Sequence, residues 1–433
     1  MSTILTDMPD HNFRVTFVAQ NYAPEPSGNA PYTTDLAEGL VQAGWDVSVV
    51  TGYPYYPQWR VMDGYKRRHG TEHINGVRLA RRRSYIPRRP TLLKRVVMEV
   101  SFGLASLKEP WNSPDIVVLV SPSLFAVWLA EFKAKLMPAR PAVIVWVQDL
   151  YSKGASEAAS VGSLGVRLIS AVERSSLRRA DRVVAIHDRF KENIVANLRI
   201  DPHRISVVRN WTHIRPTELD RQFYRAKFGW RDDEIIVLHA GNMGAKQGLE
   251  NVVASAFLAD EQQAPVRFVL LGGGNQRARL VKMAEGAQRL DFMDSLDDRD
   301  FQGAMAGADI LLVNETQGVR EMSVPSKLTS YFAARRPVLA ATDFGSITAD
   351  EIARAGAGVR VDTNAPDQML EQALVIGSDS RLADELGSRG AKYQLIELDR
   401  QNAIDRYASI LAEVLGHSES LAQTQRSTGP TDA

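Results

Sequence analysis

At 433 residues, with 44% apolar and 24% charged residues and a formal net charge of +1, the chain has the make-up of a soluble globular enzyme and exceeds what one hydrophobic core usually supports. It contains no cysteine, which excludes disulfides, thiolate metal sites and a cysteine nucleophile. The opening "MSTILTDMPDHNFRV" lacks the basic start and apolar core of a signal peptide, and the longest apolar stretch, "IVVLVSPSLFAVWLA", is broken at Ser121-Pro122-Ser123, so a cytoplasmic protein is expected.

In chain order, "RVTFVAQ" (14–20) reads as a strand, "YTTDLAEGLVQAG" (32–44) as a helix closed by glycine, and "DVSVVTG" (46–52) as a second strand. A strongly basic segment between Arg60 and Lys108 follows, including "YKRRH" and "RRRSYIPRRPTLLKRVV", while the rest of the chain is net acidic. Basic residues beside aromatic and aliphatic ones suit an anionic membrane surface, and a solvated basic loop suits them almost as well. "IVVLVS" and "AVIVWVQD" are strands around the helical "LFAVWLAEFKAKL", and "ADRVVAIH" and "RISVVRN" close the first half. The polar, proline-bearing "NWTHIRPTELD" (210–220) marks a boundary. Beyond it "EIIVLHAGN", "VRFVLLGGG", "ADILLVNE" and "RPVLAATD" each precede a helical pattern. Such alternation predicts βαβ units and parallel sheets in an α/β fold. The expected organisation is two doubly wound Rossmann-like domains, 1–210 and 211–390, facing across a cleft, then a terminal helix over 391–416 and a disordered tail over 417–433.

Glycine-rich or polar loops follow several strands, where doubly wound sheets bind ligands. In "VLHAGNMGAKQGLENVV" (237–253) an apolar strand runs into three glycines, an amide and Lys246, and then into a helix whose Leu249, Val252, Val253, Ala256 and Phe257 share one face. Free N–H groups at a helix start, the helix dipole and a lysine suit an anion, and an ordinary strand-to-helix turn is the competing reading. "LGGGNQ", with Gly273, and "NETQGVREMSVPSK" occupy equivalent positions, but "LLGGGNQ" lacks the glycine spacing of a dinucleotide site. The acidic "DFMDSLDDRD" precedes a helix and reads as caps rather than metal ligands. His187 reads as structural, and the eight histidines show no metal-ligand spacing.

The chain resembles the GT-B glycosyltransferases of family 4, on the branch of the colanic-acid and exopolysaccharide enzymes. The resemblance runs from "NYAPEPSGNAPYTTDLAEGLVQAGWDVSVVTGYPYYPQW" through "GNMGAKQGLE" to "VPSKLTSYFAARRPVLAATD". It implies an acceptor-binding first domain and a second domain holding a nucleotide-sugar donor, with Gly241, Asn242, Gly244 and Lys246 at the diphosphate. Asn242 stands where many members carry arginine. Arg209-Asn210 resembles a donor-contacting turn, with Trp211 in place of glycine. In the family's Glu-x7-Glu region Glu321 lies one residue before the place of the first glutamate and Ser330 takes the place of the second. Ser326 and Lys327 begin the helix there and are expected to share the phosphate load. Gly28 in "PSGNAP" permits close approach to the donor. Asp149, with Gln148 where many members have histidine, is the candidate acceptor contact and general base, a helix cap being the alternative.

These features predict a retaining, metal-independent hexosyltransferase without a cofactor. Its partners would be a nucleotide-diphosphate-sugar donor, a saccharide or polyprenyl-linked acceptor used in exopolysaccharide assembly, and an anionic membrane, but no nucleic acid. The altered Glu-x7-Glu region keeps two alternatives open: a donor-binding scaffold without turnover, and a GT-B nucleotide-sugar epimerase.

Overall fold

The computed structural model describes residues 13–26, 28–65, 70–151, 163–212, 219–319 and 326–427, with the side chains of 163, 326 and 417–427 outside the description. The chain divides into two compact units, 1–210 with 401–433, and 211–400.

In the first unit the strands are β1 (Arg14–Val18), β2 (Asp46–Gly52), β3 (Gly70–Ile74), β4 (Val77–Arg82), β5 (Ile116–Val120), β6 (Ala142–Val147), β7 (Arg182–Ala185) and β8 (Ile205–Val207). They form one sheet in the order β3-β4-β2-β1-β5-β6-β7-β8. All neighbours are parallel except β3 and β4. Every residue of β5 and β6 is buried, which explains their unbroken apolar runs: helices cover both faces of a parallel sheet.

Between β2 and β5 the structure adds a hairpin and a helix to the expected elements. Asn75-Gly76 turns the β3–β4 hairpin with both residues at positive φ, 49° and 82°, the conformation that Asn-Gly supplies at least cost. The basic segment is partly consumed inside this fold. Arg81 is buried against Glu72 and the Ala23 carbonyl, and Arg78 and Arg82 both pair with the buried Glu109. Residues 66–69 of "YKRRH" lie outside the described residues.

The second unit contains β9 (Ile235–Ala240), β10 (Val266–Leu271), β11 (Leu290–Met293), β12 (Ile310–Asn314), β13 (Val338–Ala341) and β14 (Gly358–Val361). They form an all-parallel sheet ordered β11-β10-β9-β12-β13-β14. Apolar side chains pack on both faces, Val237, Phe268 and Leu312 on one and Leu238, Leu311 and Phe332 on the other. "DFMDSLDDRD" does supply a cap: Asp297 accepts from the Asp300 N–H at 2.8 Å.

At the C-terminus the chain differs from the expected spans. A helix over Ser380–Glu397 ends the second unit, and a separate one over Arg400–Ser427 belongs to the first. The latter continues past residue 416, into the polar stretch expected as a tail. Ile404 is fully buried against Gly39, where a Cβ would meet its Cδ1 at 2.3 Å, and Tyr407 lies 5.1 Å from the buried Trp146 ring. Ile404→Ala should therefore destabilise the first unit by about 2–5 kcal/mol, the cost of a cavity at a site that cannot collapse. Urea unfolding followed by tryptophan fluorescence checks this, and an unchanged profile would detach the helix from that core.

Candidate active site

The second-unit site is built from two backbone turns that touch. β9 and β10 are adjacent and end together at Ala240 and Leu271. Past these ends, Gly241 N–H donates to the Leu271 carbonyl at 2.9 Å and Met243 N–H to the Gly273 carbonyl at 2.7 Å. The approach leaves no room for side chains. A Cβ at Gly272 (φ 126°) would lie 2.2 Å from the Gly241 oxygen, and one at Gly274 (φ 148°) 2.4 Å from the Met243 oxygen. Gly273, the glycine expected at the donor, has nothing within 4 Å of its Cβ position, so its flanking glycines make the contact and Gly273 faces open space.

After this contact the 241–249 loop is held by its neighbours. Ala245–Gln247 form a 3-10 turn, and the Gln247 side chain accepts from Gly244 N–H at 3.0 Å. Thr316, beyond β12, donates its N–H to the Lys246 carbonyl and its hydroxyl to that of Ala245. Asn314 donates to the carbonyls of Gln247 and Gly248. The main chain around Lys246 is thus fixed while the Lys246 and Asn242 side chains are exposed.

Lys327 completes this group from the helix Ser326–Ala333. Its Nζ lies 3.8 Å from the Cβ position of Gly241 and 3.4 Å from Nε2 of the fully buried His239. Burial pushes the Lys327 ammonium down to about 8, opposed by the Glu315 carboxylate. Glu315 is itself raised by burial while hydroxyls of Thr342 and Thr348 hold it at 2.5 and 2.8 Å. His239 stays well below its usual value through burial, then through Lys327, and is neutral at physiological pH. The helix is anchored one residue-turn away by Tyr331, fully buried, whose hydroxyl accepts from Ala240 N–H at 2.9 Å and reaches the Leu312 carbonyl at 3.3 Å.

Gly241, Gly244, Gly273 and Lys327 therefore meet at the carboxyl ends of β9 and β10. Ser330 is half-buried on the same helix as Lys327. Ser326 is the first residue of that helix, with its side chain outside the description, and Glu321 lies outside the described residues. His239, Glu315 and Tyr331 are absent from the sequence-based candidates. Each stands inside or beside an apolar run and reads as core until partners distant in sequence are known.

In the first unit, hydrogen bonds stitch consecutive strand ends. Asn29, next to Gly28, donates to the Ser121 carbonyl at 3.3 Å, and the Ser121 hydroxyl donates to the Asp149 carbonyl at 3.1 Å. Gly28 takes φ 72°, with its Cβ position 3.7 Å from the Tyr56 ring. Gly28 and the half-buried Asp149 thus belong to one rim. Arg209 belongs to the first unit, where Asp188 pairs with its guanidinium at 2.6 Å. Asn210 and Gln148 form a reciprocal amide pair at 2.8 and 3.2 Å, which gives Gln148 a structural partner. His187 caps the helix Asp188–Leu198, accepting from Arg189 N–H, as a structural histidine would. Among the described residues no three His, Asp or Glu side chains come together as a metal-binding group.

Comparison with known proteins agrees with this architecture. Residues 27–211 match the family described as "Glycosyl transferase 4-like domain" and residues 220–393 that described as "Glycosyl transferases group 1". The chain is a GT-B glycosyltransferase and belongs to family 4. It is 29% identical over 411 residues to WcaI of Escherichia coli (strain K12), a glycosyl transferase named for colanic acid biosynthesis, covering 89% of this chain and 97% of that one. The fold is similar to sucrose-phosphate synthase from Thermosynechococcus elongatus (TM-score 0.71, 16% identity, 94% of this chain and 100% of that chain). It is also similar to HepE from Anabaena in complex with UDP-glucose (TM-score 0.65, 14% identity, 92% and 99%).

The glycine contact yields a graded test. Gly272→Ala should destabilise the second unit by about 1–3 kcal/mol through overpacking against backbone, with further strain from its positive φ. Gly273→Ala should leave stability unchanged. Thermal unfolding of the two variants checks this; equal melting temperatures would contradict the packing.

Proposed function

We propose that the second unit binds the diphosphate of a nucleotide-sugar donor at the 241–248 and 272–274 turns and at Lys327, and that the protein transfers the sugar with retention to a lipid-linked saccharide in exopolysaccharide assembly. The observation that carries the reading is the placement of the Lys327 ammonium beside Gly241. Bare amide backbone and a partly desolvated cation meet there, which is what a diphosphate needs. Asn242 contributes no charge, and Lys327, arriving from another helix, stands in for that cation. Lys246 adds a second positive charge from the loop itself, Gly244 keeps the turn open to close approach, Ser326 offers an N–H group at the helix start, and Ser330 a hydroxyl for the donor ribose.

In glycosyl transfer the leaving diphosphate gains negative charge as the sugar becomes oxocarbenium-like. Lys246, Lys327 and the surrounding N–H groups are preorganised where that charge develops, so the proposed reaction needs no metal ion. Asp149, on the first-unit rim with Gly28, is assigned to the acceptor hydroxyl. Glu321 keeps its assignment at the donor sugar on the family resemblance alone. Arg209 is assigned a structural part, because Asp188 already holds it. The exopolysaccharide setting and lipid-linked acceptor rest on the likeness to WcaI. A membrane role for the basic segment keeps only those arginines that Glu72 and Glu109 do not hold.

Turnover with excess EDTA, followed by NMR of the product anomer, tests the mechanism: activity should persist and the anomer be retained. Activity lost to EDTA and restored by magnesium or manganese, or an inverted anomer, would refute it. Asp149→Asn should cost far more in turnover than in donor affinity.

Lys327→Ala should weaken donor binding by about 1.5–3 kcal/mol, the scale of a hydrogen bond to a charged group. The affinity should also depend on pH. The ammonium is present below about 8 and lost above it, so donor affinity should be level below that value and fall as pH rises through it. The fall should approach about tenfold per unit, the limit for one proton. Lys327→Met should abolish the pH dependence. Calorimetry at several pH values decides, and an unchanged slope in the variant would remove Lys327 from the site.

A further inference from the structure

Three helices of the first unit leave apolar side chains in solvent on one continuous surface. The helix Leu124–Leu136 packs against both Leu92–Leu107 and Ser163–Arg179, so it lies between them. On the first flank Leu93, Val97 and Leu104 are exposed at spacings of four and seven, Leu93 at 74%. The central helix exposes Trp128, Phe132 and Leu136 at successive steps of four, Leu136 at 69%. Leu164 and Leu168 continue the stripe on the third, Leu164 at 71%. Steps of four and seven put residues on one helix face. The Arg179 guanidinium, 5.6 Å above the Trp128 ring, links the second and third stripes. Large exposed apolar patches of this kind mark interaction surfaces.

Charge on the same helices is one-sided. Each carries one acid, Glu99, Glu131 and Glu173, and all three are buried. Burial pushes Glu99 and Glu131 up to about 8, so both are largely protonated at neutral pH. The exposed charges are Lys94, Arg95, Lys135, Arg167 and Arg178, joined by Arg88 and Arg89 just before the first helix. Lys133 is turned inward instead, onto the Leu107 and Glu109 carbonyls. A ridge of Trp, Phe and Leu on helices whose exposed charges, among the described residues, are all arginine and lysine has the composition of an interfacial surface on anionic lipid. Pairing two copies of this face would oppose positive charge to positive charge.

We infer that the joined face of helices 92–107, 124–136 and 163–179 is a membrane-docking surface whose partner is the headgroup region of an anionic bilayer. Trp128, Phe132, Leu136 and Leu168 enter the acyl boundary while Lys94, Arg95, Lys135 and Arg167 meet the lipid charges. This narrows membrane contact in the basic 60–108 segment to its 88–107 part and extends it onto two further helices. The inference rests on the proposed lipid-linked acceptor for its purpose and on the helices alone for its geometry.

The test is flotation of the full chain with phosphatidylcholine vesicles containing or lacking phosphatidylglycerol, with neither donor nor acceptor present. A failure here therefore leaves the transfer reading standing, and a failure of transfer leaves this one standing. Binding to the anionic vesicles should fall as salt is raised from about 0.05 to 0.5 M, since screening shortens the reach of headgroup attraction. Lipids brominated near the headgroup should quench Trp emission less in Trp128→Phe. Phe132→Asp with Leu136→Asp should lose about tenfold or more in vesicle partition, with an unchanged melting temperature because both positions are exposed. Lys135→Glu with Arg167→Glu should selectively weaken the anionic vesicles. Absent wild-type binding, or variants that bind like wild type, would overturn the inference. So would a wild-type dimer in light scattering that Phe132→Asp with Leu136→Asp dissociates, which would make the face a contact between copies.

Discussion

The close approach of two main-chain turns shapes everything else in the second unit's site. Gly272 and Gly274 come so near the carbonyls of Gly241 and Met243 that no side chain fits between. Excluding side chains lets the two main chains pack directly on one another as a fixed array of peptide dipoles. Fixed dipoles need no reorganisation when charge arrives, which is why such arrays bind and stabilise anions well. Parallel pairing of β9 and β10 in register sets the position of the turns, so the sheet and the site are one construction.

A cation has to be brought to that array at some cost. Burying an ammonium is unfavourable, and the depressed pKa of Lys327 records the penalty. Glu315 offsets part of it, His239 stays neutral instead of adding a like charge, and Tyr331 keeps the helix that bears Lys327 at the strand ends. Among the described residues the ammonium meets only Nε2 of His239 and the field of Glu315, which leaves donor capacity for a ligand.

Much of the architecture was legible in the sequence because fully buried parallel strands read as unbroken apolar runs, as in "IVVLV" and "AVIVWV". The β3–β4 hairpin carries a local signal too, Asn75-Gly76, set within a segment dominated by its charges. Gly241 and Lys327 could be singled out because glycine and a helix-start lysine after strands carry local signals. Arg209 could not be judged locally, since its partner Asp188 sits 21 residues away. His239, Glu315 and Tyr331 were illegible for the same reason: their meaning comes from burial and from partners across the sheet. The basic segment misled because sequence counts charge without showing that Glu109 and Glu72 bind several of its arginines, and one-sided charge on three separate helices shows only once they are packed side by side.

The most direct measurement is amide hydrogen exchange on the full chain with and without millimolar UDP, GDP or ADP. One of these nucleotides should slow exchange in 241–249, 272–276 and 326–333 together, because a diphosphate would occupy N–H groups at the first two and hold the Lys327 helix at the third. Protection confined to residues 13–210, or none with any of the three, would contradict a donor site built on Gly241 and Lys327.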